Sequence, residues 1–230
     1  MYFRHATEIW SDYPDLVPGV LVADQMTSRV SVSSRLASFY AVAESRLATS
    51  AEGSFPEIQA WRRVFSRMGL APTQYRCASE SLLRRFRKDK SLPPIHPLID
   101  LCNAISLAFA IPIAVFDTSK ITESVEVRYA RGSEVYPAFS GEDEYPEPGE
   151  VIFADEAGKA HARRWTNRQS RYSAVGNDTT RVLIVAEAMH ASAPHDVGTL
   201  IAAITEELAS TWSVKSSPRI LTAASARFDF

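Results

Sequence analysis

The sequence predicts an α+β fold, in which helices dominate the first half and short strands the second. Apolar residues recur at helical spacing from Leu36 to Ala108, whereas alternation with a period of two begins after Asp117. Of the 230 residues, 46% are apolar and 23% are charged, which excludes a disordered or fibrous protein. Helices followed by strands are typical of the α+β class, and the length favours one large domain with an added terminus.

Four helices are predicted in the first half, after a short strand at residues 17–23. Ser54, Pro56 and Glu57 predict a capping-box start for the second helix, and Gly69 predicts its end. Pro112 must end the fourth helix, because proline supplies no N–H to a helix interior. The stripes that define the four helices are Leu36, Tyr40, Ala43 and Leu47; Ile58, Trp61, Phe65 and Met68; Leu82, Leu83 and Phe86; and Leu98, Leu101, Ile105 and Ala108.

Short strands are predicted across the second half, starting with a buried one at residues 113–116. Val125, Val127 and Tyr129 then alternate with polar residues, as in a half-buried strand. The remaining predicted elements are strands at residues 134–139, 150–154, 160–165 and 180–187, and a helix at residues 196–212 with a stripe of Leu200, Ile204, Leu208 and Trp212.

The charges nearly cancel but are unevenly distributed. The 25 basic and 27 acidic residues give a net charge of −2, which argues against a protein held on nucleic acid by its overall charge. Nine basic and two acidic residues lie between Arg62 and Lys90, whereas eight acidic residues and no Lys or Arg lie between Gly132 and Gly158. Each segment is compatible with a solvated face, and the arginine-rich one also suits a phosphate backbone.

Several classes of function lack their motifs in this sequence. We find no glycine-rich nucleotide loop, no Gly-x-Ser-x-Gly and no His-Glu-x-x-His, and the five histidines lack metal-ligand spacing. Cys77 and Cys102 are too few for a disulfide framework and are expected to be buried apolar residues. Polar residues and Pro112 interrupt the most apolar stretch, residues 98–116. We expect a soluble, cytoplasmic protein with no cofactor, no metal, no membrane contact and no DNA partner.

Two blocks of sequence carry a family resemblance. The first is YRCASESLLRRFRKDKSLPPIHPLIDLCNAISLAFAIPIAVFD at residues 75–117, and the second is PEPGEVIFADEAGKAHARRWTNRQS at residues 146–170. Their order and content resemble the B3/B4 domain of phenylalanyl-tRNA synthetase beta subunits, and most closely its free-standing relatives. The features that match are Pro94-Ile95-His96, Asp100, Asn103, Pro112 and Phe116-Asp117, then Pro148-Gly149-Glu150, Asp155 and Arg163-Arg164-Trp165.

The resemblance implies a mixed β-sheet core with flanking helices and an aminoacyl-recognition cleft. In the synthetase this domain hydrolyses tyrosine that is wrongly esterified to the phenylalanine tRNA, so a free-standing copy implies a trans-editing factor without aminoacylation activity. The implied domain covers residues 1–190, and residues 191–230 are expected to form a helical extension packed on it.

The sequence departs from the synthetase pattern at two places. Synthetase beta subunits typically carry Pro-x-His-Ala-Phe-Asp, and Ala114 stands where that histidine would be. The synthetase's Gly-Gly-containing segment near its tyrosine-recognising glutamate is replaced by WTNRQS at residues 165–170. The resemblance alone therefore does not imply tyrosine specificity or a water-activating histidine for this chain.

Candidate site residues follow from the two blocks and from the arginine-rich segment. His96 and Asn103 are the catalytic candidates, although both also suit structural roles in the turn and the helix, and Asp100 is expected to brace that turn. Glu80 would either pair with Arg76 or Arg84 or bind the substrate's α-amino group. The predicted substrate-binding residues are Glu80, Phe153, Arg164, Trp165 and Gln169. The predicted tRNA-binding residues are Arg76, Arg84, Arg85, Arg87, Lys88, Arg163 and Arg168.

Three functions fit these observations. The first is a hydrolase that binds aminoacyl-tRNA and deacylates mischarged tRNA. The second is a non-catalytic module that binds tRNA or an amino acid, and the third is a hydrolase of small amino-acid esters or amides. The arginine-rich segment favours the first two over the third.

Overall fold

The computed structural model describes all 230 residues and confirms the predicted α+β class. Four of its helices match the predicted set before Pro112, and a fifth matches the helix predicted near the C-terminus. The helices are α1 (Thr7–Asp12), α2 (Ser33–Thr49), α3 (Pro56–Arg67), α4 (Ala78–Asp89), α5 (Pro97–Phe109) and α6 (Ala193–Trp212). None of them combines the length and the apolar character needed to cross a membrane.

Twelve strands form two main sheets and one hairpin. The strands are β1 (Tyr2–His5), β2 (Val17–Ala23), β3 (Ile113–Asp117), β4 (Ser124–Tyr129), β5 (Tyr136–Pro137), β6 (Asp143–Glu144), β7 (Val151–Ala154), β8 (Ala160–Arg163), β9 (Arg168–Gln169), β10 (Val182–Ala188), β11 (Arg219–Ile220) and β12 (Arg227–Asp229). The six-stranded sheet has the order β12-β1-β4-β7-β8-β9 and is mixed, because β1 and β4 are parallel and the other pairs antiparallel. The four-stranded sheet, β11-β2-β10-β3, is entirely antiparallel.

Strand β10 is buried on both faces and separates two hydrophobic cores. Leu183 and Val185 belong to a 31-residue core that also contains inward residues of the six-stranded sheet and of α3 and α4. Val182 and Ile184 belong to a 22-residue core that contains the apolar stripes of α5 and α6. This alternation follows from the period of two along a strand, so the first core lies between the sheets and the second beneath two helices.

The C-terminal segment is built into both sheets. Helix α6 packs closely on β2, where a Cβ atom at Gly19 would lie 2.5 Å from Ile201 and 2.8 Å from Val197. Beyond α6, β11 pairs with β2 and β12 pairs with β1. The segment after residue 190 therefore contributes strands as well as the expected helix, and the domain boundary at that residue stays a prediction.

The predicted start of α3 is wrong in its capping, whereas its predicted end is confirmed. The capping box at Ser54 is wrong, because the Ser54 hydroxyl donates to the carbonyl of Ala51 and Phe55 is the N-cap. Glu57 is instead held by Arg46. The predicted end at Gly69 is confirmed, since its φ of +75° allows Leu70 N–H to donate to Phe65 O at 2.8 Å.

The strands of the second half are shorter than predicted. The segment predicted at residues 134–139 forms only the two-residue strand β5, and the segment predicted at residues 160–165 ends at Arg163. It ends there because Arg164 and Trp165 have φ values of +48° and +56°, which no strand accommodates. The sequence patterns did not predict β1, β11 or β12, which are two to four residues long.

Candidate functional site

A cavity lies where the two sheets meet the start of α4. It holds about 370 Å³ of empty space, part of which is open solvent. Its walls are mostly apolar, and its polar groups come from the turn between β8 and β9 and from β10. The lining residues are Ala78, Pro112, Ile113, Ala114, Phe153, Ala162, Trp165, Thr166, Asn167, Arg168, Gln169, Val185 and Glu187.

Glu187, which is only 2% exposed, is a buried carboxylate in the lining of this cavity. Trp165 Nε1 lies 3.1 Å from each of its oxygens, and His5 Nε2 lies 2.6 Å from Oε1. Trp61 Nε1 donates to the backbone carbonyl of the same residue at 3.3 Å. A carboxylate offers about four acceptor positions, so these donors leave acceptor capacity at Oε2.

Aromatic packing fixes the position of Trp165. Its ring is perpendicular to those of Trp61 and Tyr13, with centroid distances of 5.3 and 4.8 Å. Edge-to-face pairs of this kind add about 0.5–1.5 kcal/mol each to the burial of the rings. The indole N–H is therefore held toward Glu187 by packing as well as by hydrogen bonding.

The turn after β8 is strained and anchored on both sides. Arg164 and Trp165 both occupy the left-handed region, which costs about 1–2 kcal/mol per residue without a glycine. Arg164 N–H donates to Glu150 Oε1 at 2.8 Å, and Trp165 N–H donates to Val151 O at 2.7 Å. Backbone strain of this kind persists only where the surroundings determine it, and it clusters at functional sites.

Polar groups of the same turn face the start of α4 and the cavity. The Asn167 amide donates to Arg76 O at 2.7 Å, and Ala78 N–H donates to Thr166 O at 2.8 Å. Gln169 Nε2 donates to Val115 O at 2.7 Å. Thr166 lines the cavity, and its Oγ1 is buried without a hydrogen-bond partner.

The cavity brings together four of the predicted site residues. Phe153, Trp165 and Gln169, which were predicted to bind substrate, all line it, as does Arg168 from the predicted tRNA-binding set. Ala114, which stands at the position of the synthetase histidine, also lies in the wall.

His96 and Asn103 lie outside this cavity. His96 is the N-cap of α5, where its Nδ1 accepts from Leu98 N–H at 3.2 Å, and burial lowers the pKa of this histidine despite the nearby Asp100. Asp100 braces the turn as predicted, since its Oδ1 accepts from Ile95 N–H at 2.9 Å. We therefore do not include His96 or Asn103 in the proposed site.

Glu80 forms the internal ion pair that the sequence offered as one of two roles. Its side chain is fully buried, and its Oε1 lies 2.6 Å from Arg62 Nη2 and 3.4 Å from Arg76 Nε. Arg84 is not its partner. These contacts assign Glu80 to packing between α3 and α4 rather than to the substrate's α-amino group.

Two of the predicted tRNA-binding arginines on α4 are tied to a buried acid. Arg84 and Arg87 both contact the carboxylate of Glu52, at 3.2 and 2.7 Å. Arg85 has only a long contact of 3.7 Å to Asp89, and Lys88 has no ion-pair partner. Of the predicted tRNA-binding residues on α4, Arg85 and Lys88 are therefore the two whose charge remains free for an anion.

Arg163 is buried, contrary to its predicted place on a tRNA-binding surface. Its side chain is 6% exposed and contacts Glu144 at 2.7 Å and Glu150 at 2.8 Å. Arg168 also pairs with Glu144, at 3.1 Å, but 42% of its side chain stays exposed. Arg163 is a structural brace of the β8–β9 turn, and Arg168 is partly neutralised.

A buried network of Asp155, His161 and Ser173 braces β8 away from the cavity. His161 lies 2.8 Å from Ser173 Oγ and 3.3 Å from Asp155 Oδ2. Burial acts to raise the pKa of Asp155, but the His161 ring 3.3 Å away and hydrogen bonds from the backbone N–H groups of Lys159 and Thr122 outweigh it and hold that pKa below its usual value. With Ser173 and His161 fully buried, no substrate reaches this serine–histidine pair.

One cluster has the residue types of a metal site. Glu57, His190 and Asp196 each place a potential ligand atom within 4.8 Å of the others. Arg46, however, donates to both oxygens of Glu57 at 2.8 and 2.9 Å, and His190 Nε2 lies 2.8 Å from Asp196 Oδ2. A cation from the protein already compensates Glu57, so we assign this cluster to packing between helices.

The cysteines match the expected role of small buried residues. Cys77 and Cys102 are both buried and unbridged. Burial raises the pKa of the Cys77 thiol to about 11 and that of the Cys102 thiol to about 12, which disfavours the reactive thiolate.

Comparison with known proteins identifies the family. The family model described as the B3/4 domain matches residues 60–206. Segments of 66 and 80 residues are 33% and 30% identical to phenylalanine–tRNA ligase beta subunits from Cereibacter sphaeroides and Novosphingobium aromaticivorans. The matched segments cover 29% and 35% of this chain but only 8% and 10% of those subunits, so the similarity concerns a small part of each.

A solved structure is also similar. An N-terminal fragment of the phenylalanyl-tRNA synthetase beta subunit from Pyrococcus horikoshii aligns with 93% of this chain and 49% of that chain, with 11% identity and a TM-score of 0.47. The family match alone spans more than half of the sequence and includes both blocks that carry the resemblance. The chain belongs to the B3/4 domain family.

Proposed function

We propose that this protein binds aminoacyl-tRNA and hydrolyses the ester of a wrongly attached amino acid, with the aminoacyl group in the cavity beside Trp165. The observation that carries this proposal is the buried Glu187 carboxylate in an otherwise mostly apolar cavity. A pocket of this composition suits a small apolar group with one hydrogen-bond donor. Family membership and the resemblance to the synthetase editing domain support the choice of an aminoacyl ester.

The chemistry does not require a protein nucleophile. An aminoacyl ester is already activated, so the site has to position a water molecule and stabilise the developing oxyanion. The Thr166 hydroxyl, which is buried and lacks a partner, is a candidate for holding that water or the ester oxygen. The ribose hydroxyl next to the ester can supply further hydrogen bonding from the substrate itself.

Selectivity would come from Glu187. The acceptor capacity of Oε2 suits the hydroxyl of a tyrosine-like side chain or the α-ammonium group. A buried polar group that loses its partner is costly, so a site of this type rejects analogues without the donor by large factors. Phe153 and Ala114 would contact the apolar part of the same side chain.

The tRNA would approach along the exposed side of α4. Arg85 is exposed with only a weak partner, and Lys88 has none, so both can pair with phosphates. Arg168 at the cavity mouth would add a third, partly neutralised contact. A protein with this substrate would work in the cytoplasm, where tRNAs are charged and used.

A second candidate function is a binding module without catalysis. The specific observation that favours it is Ala114, because the cavity contains no histidine and its only titratable lining residues are Glu187 and Arg168. Such a module would hold the same aminoacyl group or tRNA end without turnover.

A panel of tRNAs, each charged with a non-cognate amino acid, tests the proposal. We expect loss of the ester for at least one pair, with a rate above that of the uncatalysed control. If the protein binds tRNA but hydrolyses none of the charged tRNAs, only the function of a non-catalytic binding module remains. Turnover of amino-acid ethyl esters without tRNA binding at low salt would indicate a hydrolase of small esters instead.

A further inference from the structure

A groove lies on the opposite side of the β8–β9 turn from the main cavity. Met68 and Leu70, after α3, form one wall, and Glu147 and Pro148, before β7, form the other. Tyr75 and Arg164 also line the groove, which holds about 690 Å³ of space open to solvent.

Tyr75 and Arg164 form a stacked pair in this groove. The Arg164 guanidinium carbon lies 4.7 Å from the Tyr75 ring centroid. Unlike Arg163, Arg164 has no carboxylate partner for its guanidinium group. Its backbone, by contrast, is fixed by the bond from its N–H to Glu150 Oε1 at 2.8 Å and by a φ of +48°. A cation on a strained, anchored turn is thus held against the ring of Tyr75, which lies before α4.

We propose that this groove binds a nucleobase from the single-stranded 3′ end of tRNA, which rests on the proposed function. Single-stranded bases stack on aromatic rings and on guanidinium planes, and the Tyr75–Arg164 pair offers both between apolar walls. Glu147 has no ion-pair partner and would repel a phosphate. Its carboxylate can instead accept from the exocyclic amino group of adenine or cytosine, the two bases of the CCA end of tRNA.

The position of the groove relative to the main cavity suits one terminal nucleotide. Arg164 lines the groove and the next residue, Trp165, lines the cavity. Consecutive Cα atoms are only about 3.8 Å apart. The base and the esterified amino acid of the same nucleotide would therefore lie on two sides of one turn.

Fluorescence anisotropy with two labelled hexanucleotides at low salt tests the groove directly. One RNA ends in CCA and the other is oligouridine, whose bases lack the exocyclic amino group. We expect tighter binding of the CCA oligonucleotide, and a loss of between about fivefold and about 150-fold in its affinity on Tyr75→Ala. Tyr75→Phe, which keeps the ring, should retain most of the affinity. Phe139→Ala removes an exposed ring that does not line the groove, at 70% exposure, and should have no effect.

The outcomes separate this inference from the proposed function. Equal affinity of wild type and Tyr75→Ala for the CCA oligonucleotide would overturn the proposal that the groove binds a nucleobase. So would the absence of any binding of this oligonucleotide by the folded wild type. Hydrolysis of mischarged tRNA by wild type, measured in parallel, tests the proposed function independently of the oligonucleotide result. If wild type also hydrolyses an amino-acid ethyl ester, Tyr75→Ala should do so at the wild-type rate while it loses affinity for the CCA oligonucleotide. That result would support base binding in the groove and show that the cavity is intact.

Discussion

Replacing the Glu187 carboxylate by an amide, Glu187→Gln, probes the centre of the proposed site with little change in shape. In the native cavity Trp165 Nε1 lies 3.1 Å from both oxygens and His5 Nε2 lies 2.6 Å from Oε1. Glutamine keeps one acceptor and introduces an NH₂ donor, which must turn either toward these two donors or into the cavity. The variant therefore keeps at most part of the network.

The expected effects follow from the number of bonds altered. Hydrogen bonds to charged groups contribute about 1.5–3 kcal/mol, against about 0.5–1.5 kcal/mol for neutral ones. We expect the free energy of unfolding to fall by about 1–3 kcal/mol. For a substrate whose side chain donates to Glu187, kcat/KM should fall about 10- to 150-fold, since each 1.36 kcal/mol of lost transition-state binding is a factor of ten.

The assay pairs unfolding with turnover. Urea unfolding followed by tryptophan fluorescence gives the stability, and deacylation of two tRNAs, one with and one without a side-chain hydroxyl on the amino acid, gives the selectivity. The loss should be confined to the hydroxyl-bearing substrate, and Glu206→Gln, at an exposed position of α6, should behave as wild type. Equal losses for the two substrates, or none for either, would refute a recognition role for Glu187.

Three further predictions concern stability and tRNA binding. Arg163→Met should destabilise the fold by about 3–5 kcal/mol in urea unfolding, because it leaves two carboxylates without their buried partner; a loss below about 1 kcal/mol would contradict this. The double variant Arg85→Gln and Lys88→Gln should weaken tRNA binding and reduce the slope of log affinity against log salt by about 2, and an unchanged slope would make the segment only a solvated face. Because the pKa of Asp155 is lower in the folded than in the unfolded protein, its carboxylate stabilises the fold above about pH 3.9, the unfolded pKa. This stabilisation is lost as the pH falls through the lower pKa of the folded state. The melting temperature of wild type should therefore drop more steeply between pH 5 and pH 2 than that of Asp155→Asn. Parallel curves of melting temperature against pH for the two proteins would disprove this contribution of Asp155.

Periodicity predicted the elements that are long enough to repeat an apolar pattern. The stripe of α6 from Leu200 to Trp212 is buried as expected, because a 20-residue helix repeats its apolar face several times. Strands β1 and β12 contain four and three residues, too few for an alternation to stand out. Their pairing depends on contacts between the two ends of the chain, which no local pattern records.

The polar centre of the site could not be predicted from local sequence for the same reason. Glu187 lies in an apolar strand, where alternation does not distinguish a buried carboxylate from an exposed one. Its partner His5 is 182 positions away, and Trp165 reaches it only because the chain leaves β8 in a left-handed turn. The predicted residues Phe153, Trp165 and Gln169 do line the cavity, since the block at residues 146–170 supplies seven of its 13 lining residues.

Ion pairs formed in the fold reduce the number of basic residues between Arg62 and Lys90 that are free to bind an anion. Nine basic residues against two acidic ones were compatible with a solvated face and also suited an anion-binding surface. In the fold Glu52, from outside the segment, holds Arg84 and Arg87, and Glu80 holds Arg62 and Arg76. Both acids are buried, so these arginines serve mainly to compensate carboxylates inside the protein.

The β8–β9 turn places Arg164 in the groove and Trp165 in the cavity, where each meets residues from distant elements of the chain. A glycine would relieve the strain at Arg164 or Trp165, but it would remove the stacked guanidinium from the groove or the indole donor from Glu187. The two proposed subsites would need both side chains on these adjacent residues, of which Trp165 lines the cavity and Arg164 the groove. The strain, about 1–2 kcal/mol per residue, is sustained by the bonds to Glu150 and Val151. We infer that these two positions keep non-glycine residues because the proposed amino-acid and base subsites share this turn.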